Sequence, residues 1–333
     1  EMDSLTHIAL GAAIAEVTIG KKIGNKALLI GAVAGNIPDF DSVISAFLNP
    51  VYALLFHRGI SHSFFLLILL APIVSYLLSK IDKDSRMRYV DWLWLIALPW
   101  LSHILVDIFN TYGTGVFEPF SNARVSYDSV AIVDVFLLAV MIPVFAILWF
   151  MNKGNAKRRV FAWLSISFLI LYFGLSVVIK EKLESTIKKE LAVNRVEYTR
   201  IRTAPLPLTN LIWMVVVEDS LSFKVEQRNI LNINKPLQKT DLVKNHQLMD
   251  TADYYEVDKI KEFTKGFYTV EQTSNGFKIY DIRYSSLAME YPEAYVFTFN
   301  IVKAGDVVQL GRSHPKRSLT FEKIKLYFGR LLE

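Results

Sequence analysis

Ser63–Ser79 reads SFFLLILLAPIVSYLLS, and Trp92–Asn110 reads WLWLIALPWLSHILVDIFN. The first carries no charged side chain; the second carries one histidine, His103, and one carboxylate, Asp107. A helix needs roughly 20 predominantly apolar residues to cross about 30 Å of hydrocarbon, so both stretches read as membrane spans. Working outward, Val130–Met151 and Val160–Ile179 have the same character. These are the four clear spans. Leu5–Val17 and Ala27–Ile37 are apolar but shorter and read as two short helices, either half-spans or packed within the bundle. Leu5–Val17 is taken as a membrane helix and not a signal peptide, because no Lys or Arg precedes it and His7 lies inside it.

Composition agrees. The 333 residues are 52% hydrophobic and 21% charged, which excludes a disordered chain. A net charge of +5 is too small at this length to argue for nucleic acid, and none is expected as a partner. With no cysteine, thiolate metal sites, disulfides and cysteine nucleophiles are excluded. Charge is unevenly spread, with 26 Lys, Arg, Asp and Glu in residues 1–180 and 43 in residues 181–333. The chain therefore divides into a membrane-embedded helical domain over 2–180 and a water-soluble α+β domain over 181–333.

In the second domain, short runs at Leu211–Val217, Leu221–Gln227, Phe267–Gln272, Phe277–Ile282 and Tyr295–Val302 predict strands. Asp253–Thr264 and Leu319–Leu331 predict helices, Asn275-Gly276 predicts a hairpin turn, and Glu181–Leu191 predicts a helical stalk. Thr203–Trp213 is expected to lie along the membrane surface with Trp213 as an interfacial anchor. Since the stalk spans only about 16 Å, the domain is expected to act as a lid.

Basic residues set the orientation. Lys21, Lys22 and Lys26 fill one short connection, Lys80, Lys83, Arg86 and Arg88 a second, and Lys153, Lys157, Arg158 and Arg159 a third. The positive-inside rule puts all three in the cytoplasm, and the loops at 38–62 and 111–129 and the C-terminal domain on the extracytoplasmic side. The reading is a multi-pass protein of a bacterial or archaeal cytoplasmic (inner) membrane.

Ionisable groups within a membrane are costly and are functional candidates by default. Four of the six histidines, His7, His57, His62 and His103, lie in the first 110 residues, with Asp39, Asp41 and Asp107 near them in sequence. The lysine-derived topology brings all seven to the same outer face, although it made no use of them. His103 and Asp107 are i and i+4, on one side of one helix. Nitrogen and oxygen ligands without sulfur suit zinc first, with manganese or iron as alternatives. More ordinary roles remain for single residues: Asp41 as N-cap of a helix at Ser42–Leu48, Arg58 as a headgroup anchor, and His246 and His314 as surface residues.

Met2-Asp3-Ser4-Leu5-Thr6-His7, Gly35-Asn36-Ile37-Pro38-Asp39-Phe40-Asp41, His57-Arg58-Gly59-Ile60-Ser61-His62-Ser63 and His103-Ile104-Leu105-Val106-Asp107 together resemble the YdjM-like family of membrane-bound metal-dependent hydrolases. Asn110-Thr111-Tyr112-Gly113 and Phe117-Glu118-Pro119-Phe120 look similar too. That family is in turn similar to zinc-dependent phospholipases C. The resemblance implies His7, Asp39, His57, His62, His103 and Asp107 as metal ligands. The later His-x-x-x-Glu of the phospholipases is missing, so one or two ions are expected unless Glu118 or Asp134 substitutes. The function expected is hydrolysis of a phosphoester of a lipid or lipid-linked substrate, with Asp39 or Asp41 as general base and Arg58 as phosphate clamp. The alternatives are a broken-helix transporter, and a non-catalytic membrane protein with a structural metal and a partner-binding outer domain.

Overall fold

The computed structural model describes residues 4–82, 87–249, 255–284, 295, 297–304, 307–313 and 329. Helices in chain order are α1 (Ser4–Ile23), α2 (Asn25–Ala34), α3 (Asp41–Ser45), α4 (Pro50–Phe56), α5 (Phe64–Ile81), α6 (Tyr89–Asp107), α7 (Val135–Phe150), α8 (Lys157–Val193) and α9 (Tyr255–Thr264). Two compact units emerge: Glu1–Phe47, Phe56–Tyr127 and Ile132–Leu175 form the first, and Leu48–Leu55, Asp128–Ala131 and Ser176–Glu333 the second.

In the helical unit, α5, α6 and α8 are long and apolar enough to cross a membrane. A fourth candidate exists if α2 and the Pro38–Ser45 segment, bent by 54° at their break, count as one span. The span expected at Val130–Met151 is the 16-residue α7, shorter than the other candidates. The stretch read as Leu5–Val17 is a full 20-residue helix, and the last apolar run and the stalk are one continuous 37-residue helix. Many large apolar side chains of these helices stand exposed, among them Phe65, Ile68, Ile73 and Leu77 on α5 and Trp163, Leu164, Ile170 and Leu171 on α8. An apolar surface of this kind belongs against lipid or protein rather than water.

Helix starts follow the sequence. Ser63 caps α5 by accepting from Leu66 N at 3.1 Å. Asp134 caps α7 by accepting from Phe136 N at 2.9 Å and Leu137 N at 3.1 Å. α1 and α2 pack backbone to backbone. A Cβ on Gly31 would lie 2.3 Å from Ala15 Cβ and 2.4 Å from Gly11 O, so only glycine allows this approach. Gly35 is held equally close to the first turn of α1, where an added Cβ would lie 2.8 Å from His7 O. Small residues thus bring the start of α1 against the end of α2. On the other side of α2, Trp100, Ile104, Leu67 and Ala71 fix α5 and α6 around Ala34.

The second unit contains two antiparallel four-stranded sheets. One runs β1 (Arg200–Pro205), β2 (Ile212–Glu218), β3 (Ser222–Asn229), β4 (Pro236–Val243); the other runs β5 (Tyr268–Thr273), β6 (Gly276–Asp281), β7 (Thr298–Ala304), β8 (Val307–Ser313). Strand alternation divides β2 between two cores. Ile212, Met214 and Val216 join Phe223, Phe267, Tyr280 and Ile282, whereas Trp213, Val215 and Val217 pack on Leu183 and Ile187 of α8. Trp213 is therefore no interfacial anchor. It is fully buried, with Nε1 donating to Asn210 O at 3.0 Å, and Thr203–Pro205 belongs to β1. The β5–β6 hairpin turns on Ser274-Asn275, one residue earlier than expected, because Gly276 already pairs with Thr273. Of the expected Asp253–Thr264 helix, Tyr255–Thr264 is observed; Leu319–Leu331 lies outside the described residues except for residue 329.

Candidate metal centre

Four segments of the helical unit converge. α6 supplies His103 and Asp107 one turn apart, both buried. The first turn of α1 supplies His7, whose Nε2 lies 3.3 Å from Asp107 Oδ1 and whose ring stacks on His103 at 3.8 Å. After α2 the chain turns through a 3₁₀ segment, Pro38–Phe40, which brings Asp39 to the cluster, and α3 opens with Asp41. The loop before α5 supplies His57, Arg58 and His62. Arg58 takes a left-handed φ of 60°, uncommon for a residue with a Cβ, and its N–H donates to Asp41 Oδ2 at 3.0 Å.

The second ring nitrogen of each histidine decides what the first can do. His103 Nδ1 lies 2.6 Å from Gly35 O, so Nδ1 carries the proton and the Nε2 lone pair faces the cluster. Around that lone pair stand His62 Nε2 at 3.1 Å, Asp107 Oδ2 at 3.5 Å and Asp39 Oδ1 at 3.6 Å. His62 Nε2 is also 3.4 Å from Asp107 Oδ2 and 3.5 Å from Asp39 Oδ1. The imidazole–carboxylate separations, 3.4–3.6 Å, are long for charge-assisted hydrogen bonds. They match ligands sharing an ion, since two atoms at about 2.1 Å on a tetrahedral cation stand about 3.4 Å apart. Buried atoms without a hydrogen-bond partner gather here as well: His7 Nδ1, both Asp107 carboxylate oxygens, and Arg58 Nε and Nη2. The residues present fit a divalent cation.

Three overlapping triads each bring one donor atom per residue within 4.8 Å: His7, His103 and Asp107; Asp39, His62 and His103; Asp39, Asp41 and His57. The first and third share no residue. Burial alone would lower the His62 pKa, but the facing Asp107, Asp39 and Asp41 carboxylates raise it to about 10. Three carboxylates therefore face the His62 ring, surroundings whose negative charge a bound cation would offset.

All seven expected side chains meet here, together with Arg58. Two of the ordinary roles fall away. Asp41 caps no helix with its side chain; its carboxylate takes His57 Nδ1 at 2.7 Å, Arg58 N and Ser61 Oγ. Arg58 is no headgroup anchor, being 0% exposed with Nε 3.2 Å from Asp107 and Nη1 donating to Asn110 Oδ1 at 2.6 Å. Neither Glu118 nor Asp134 joins the candidate triads; Asp134 is a helix cap and takes the Tyr172 hydroxyl. His246 is half-buried, stacked on Tyr268 at 4.0 Å, and His314 lies outside the described residues. Sequence reasoning missed Asn110, Ser61 and the Gly35 carbonyl. Asn110, three positions beyond Asp107, and Ser61, beside His62, stood within the quoted motifs; a backbone carbonyl leaves no mark in a sequence.

The profile of the YdjM inner membrane protein family matches residues 2–183, the stretch that contains every residue of this cluster. The chain belongs to that family. As a YdjM-family protein it is a membrane protein, in keeping with its apolar helices. It is also 30% identical over 201 residues to the "Uncharacterized protein YfhP" of Bacillus subtilis (strain 168). That alignment covers 57% of this chain and 59% of the relative, so the chain spans somewhat over half of the protein it matches. No solved structure matches.

Proposed function

We propose that this protein is a multi-pass, metal-dependent hydrolase of the cytoplasmic membrane, acting on a phosphoester of a lipid or lipid-linked substrate. The site and the C-terminal domain would face the extracytoplasmic side, as the lysine distribution suggests. One observation carries the reading: His62, His103, Asp39 and Asp107 stand at ligand–ligand distances around buried oxygens with no hydrogen-bond partner. The two disjoint triads support two ions, with zinc favoured by the nitrogen and oxygen donors.

A divalent cation bound there would supply Lewis-acid polarisation and an ionisable water near neutral pH. The chain's own residues then divide the work. Asp39, with its side chain 15% exposed, is the carboxylate at the accessible edge and the better general base. Asp41 is engaged by His57, Ser61 and the Arg58 amide, and positions the loop. Arg58, wholly buried, balances Asp107; its Nη2, free of hydrogen bonds, would donate to a phosphoryl oxygen once a substrate displaces the side chains that cover it. Turnover of a chromogenic phosphodiester and of phospholipids by the purified full chain tests this. We expect hydrolysis that Asp39→Asn lowers about 10²–10⁴-fold. Wild type inert on both substrates across zinc, manganese and iron, or unaffected by His103→Ala/Asp107→Ala, overturns it.

The 54° break between α2 and the Pro38–Ser45 segment, with Asp39 and Asp41 beyond it, favours a second reading as a broken-helix transporter. Cation flux into proteoliposomes with no ester cleavage would establish that reading instead. A purely structural metal would show as loss of thermal stability on chelation with neither flux nor turnover.

A further inference from the structure

At the lysine-rich end of the helical unit, an open cleft of about 810 Å³ is lined by Lys21, Lys153, Arg159, Val160, Trp163 and Leu164, with Glu16 also in its lining. Its two halves differ in chemistry. Lys21, Lys153 and Arg159 form no ion pair among the described residues, while Val160, Trp163 and Leu164 are exposed apolar side chains on the first turns of α8. The one lining carboxylate is compensated: Glu16 takes both Arg158 Nη2 at 2.7 Å and Arg158 Nε at 3.1 Å. The three cations therefore set the sign of the cleft.

The cleft is built, not frayed. Arg158 also donates to Asn25 Oδ1 at 2.7 Å and Met151 O at 3.0 Å, tying α1, α2 and α7 to the start of α8. Asn155 Oδ1 accepts from Lys157 N at 2.9 Å and closes the turn that holds Lys153. Gly24, at φ 60°, makes room for the Lys153 stem: a Cβ there would lie 2.8 Å from Lys153 Cδ. These contacts hold one wall while its basic ends remain unpaired.

We propose that this cleft binds an anionic phospholipid, its phosphate between Lys21, Lys153 and Arg159 and an acyl chain along Val160, Trp163 and Leu164. A basic pocket bordered by apolar, bilayer-facing side chains matches both halves of such a molecule, and a soluble anion would leave the apolar wall unused. The inference stands independently of catalysis at the metal centre.

Native mass spectrometry of the full chain in detergent, offered equimolar phosphatidylglycerol and phosphatidylcholine, tests it. With each of the three basic side chains contributing roughly fivefold, wild type should hold the anionic lipid about a hundredfold over the zwitterionic one. Lys21→Gln/Lys153→Gln/Arg159→Gln should bring that preference below about twofold, and Trp163→Ala should weaken retention of the same lipid while the preference persists. Should the triple variant fail to fold, raising salt on wild type must erode the preference instead. Equal retention of the two lipids by wild type, or inorganic phosphate at millimolar concentration displacing the lipid completely, overturns the proposal.

Discussion

The Glu16–Arg158 pair and the cluster around His103 and Asp107 are both buried in the helical unit, yet they treat their polar atoms in opposite ways. Arg158 uses all three guanidinium nitrogens on Glu16, Asn25 and Met151, at 2.7–3.1 Å. The cluster leaves both Asp107 oxygens, His7 Nδ1 and two Arg58 nitrogens without hydrogen bonds, and holds His62 and His103 at 3.4–3.6 Å from Asp39 and Asp107. Burying an unpaired polar group costs free energy that a satisfied network avoids. The first arrangement is complete and clamps helices. The second leaves buried polar atoms that a cation could satisfy, and its ligand–ligand spacing fits one.

The largest effect that follows belongs to the complete network. Arg158→Met leaves Glu16 buried and uncompensated, and should cost about 3–5 kcal/mol in thermal or denaturant unfolding, whereas Glu16→Leu/Arg158→Met should restore most of it. A harmless single variant would erase the distinction between the two regions. Next comes the incomplete cluster. Chelation of the wild-type protein should lower its stability by about 3–4 kcal/mol, the linkage expected at a few hundred times the dissociation constant. His103→Ala/Asp107→Ala should melt at the same temperature with and without chelator.

A smaller effect probes how the fold aims the cluster. Gly31→Val inserts a side chain where even a Cβ meets Ala15 Cβ at 2.3 Å, and should cost about 1–3 kcal/mol by overpacking. Because the displaced α2 carries the Gly35 carbonyl that orients His103, metal affinity should also fall roughly 10–100-fold. Titration with a chromogenic competitor reads that loss, and unchanged affinity would separate helix packing from the site. The smallest effect is the control. Gly174→Ala, in α8, meets nothing within 4 Å and should alter stability by no more than about 1 kcal/mol, leaving metal binding intact.

What could be read in advance follows from what leaves a pattern in sequence. Apolar length and basic loops gave the helical unit, and ionisable residues in an apolar setting gave His7, Asp39, Asp41, His57, His62, His103 and Asp107. Strand β2 carries a continuous β-branched apolar run, and β3 opens on an alternation, and these patterns predict them. β1 and β4, reading RIRTAP and PLQKTDLV, do not, because their backbones pair while the side chains remain largely polar. Trp213 was misplaced because an aromatic near a membrane has the same sequence signature whether it faces headgroups or a domain core. Glu16 and Arg158 stayed hidden because one sits inside an apolar run and the other among loop lysines, 142 positions apart. The bearing of Gly11, Gly31 and Gly35 on the site needed coordinates, since it depends on backbones passing within contact distance.

Metal content is the most direct test of the distinction between the complete and incomplete networks. Elemental analysis of the purified full chain, after exchange into metal-free buffer without chelator, should find one or two divalent ions per chain. His103→Ala/Asp107→Ala, shown by circular dichroism to keep its helices, should hold none, while Glu16→Leu/Arg158→Met should hold as much as wild type. A wild-type chain that remains empty even after exposure to zinc, manganese or iron, or a His103→Ala/Asp107→Ala chain that keeps its full complement, would contradict a metal centre at this cluster.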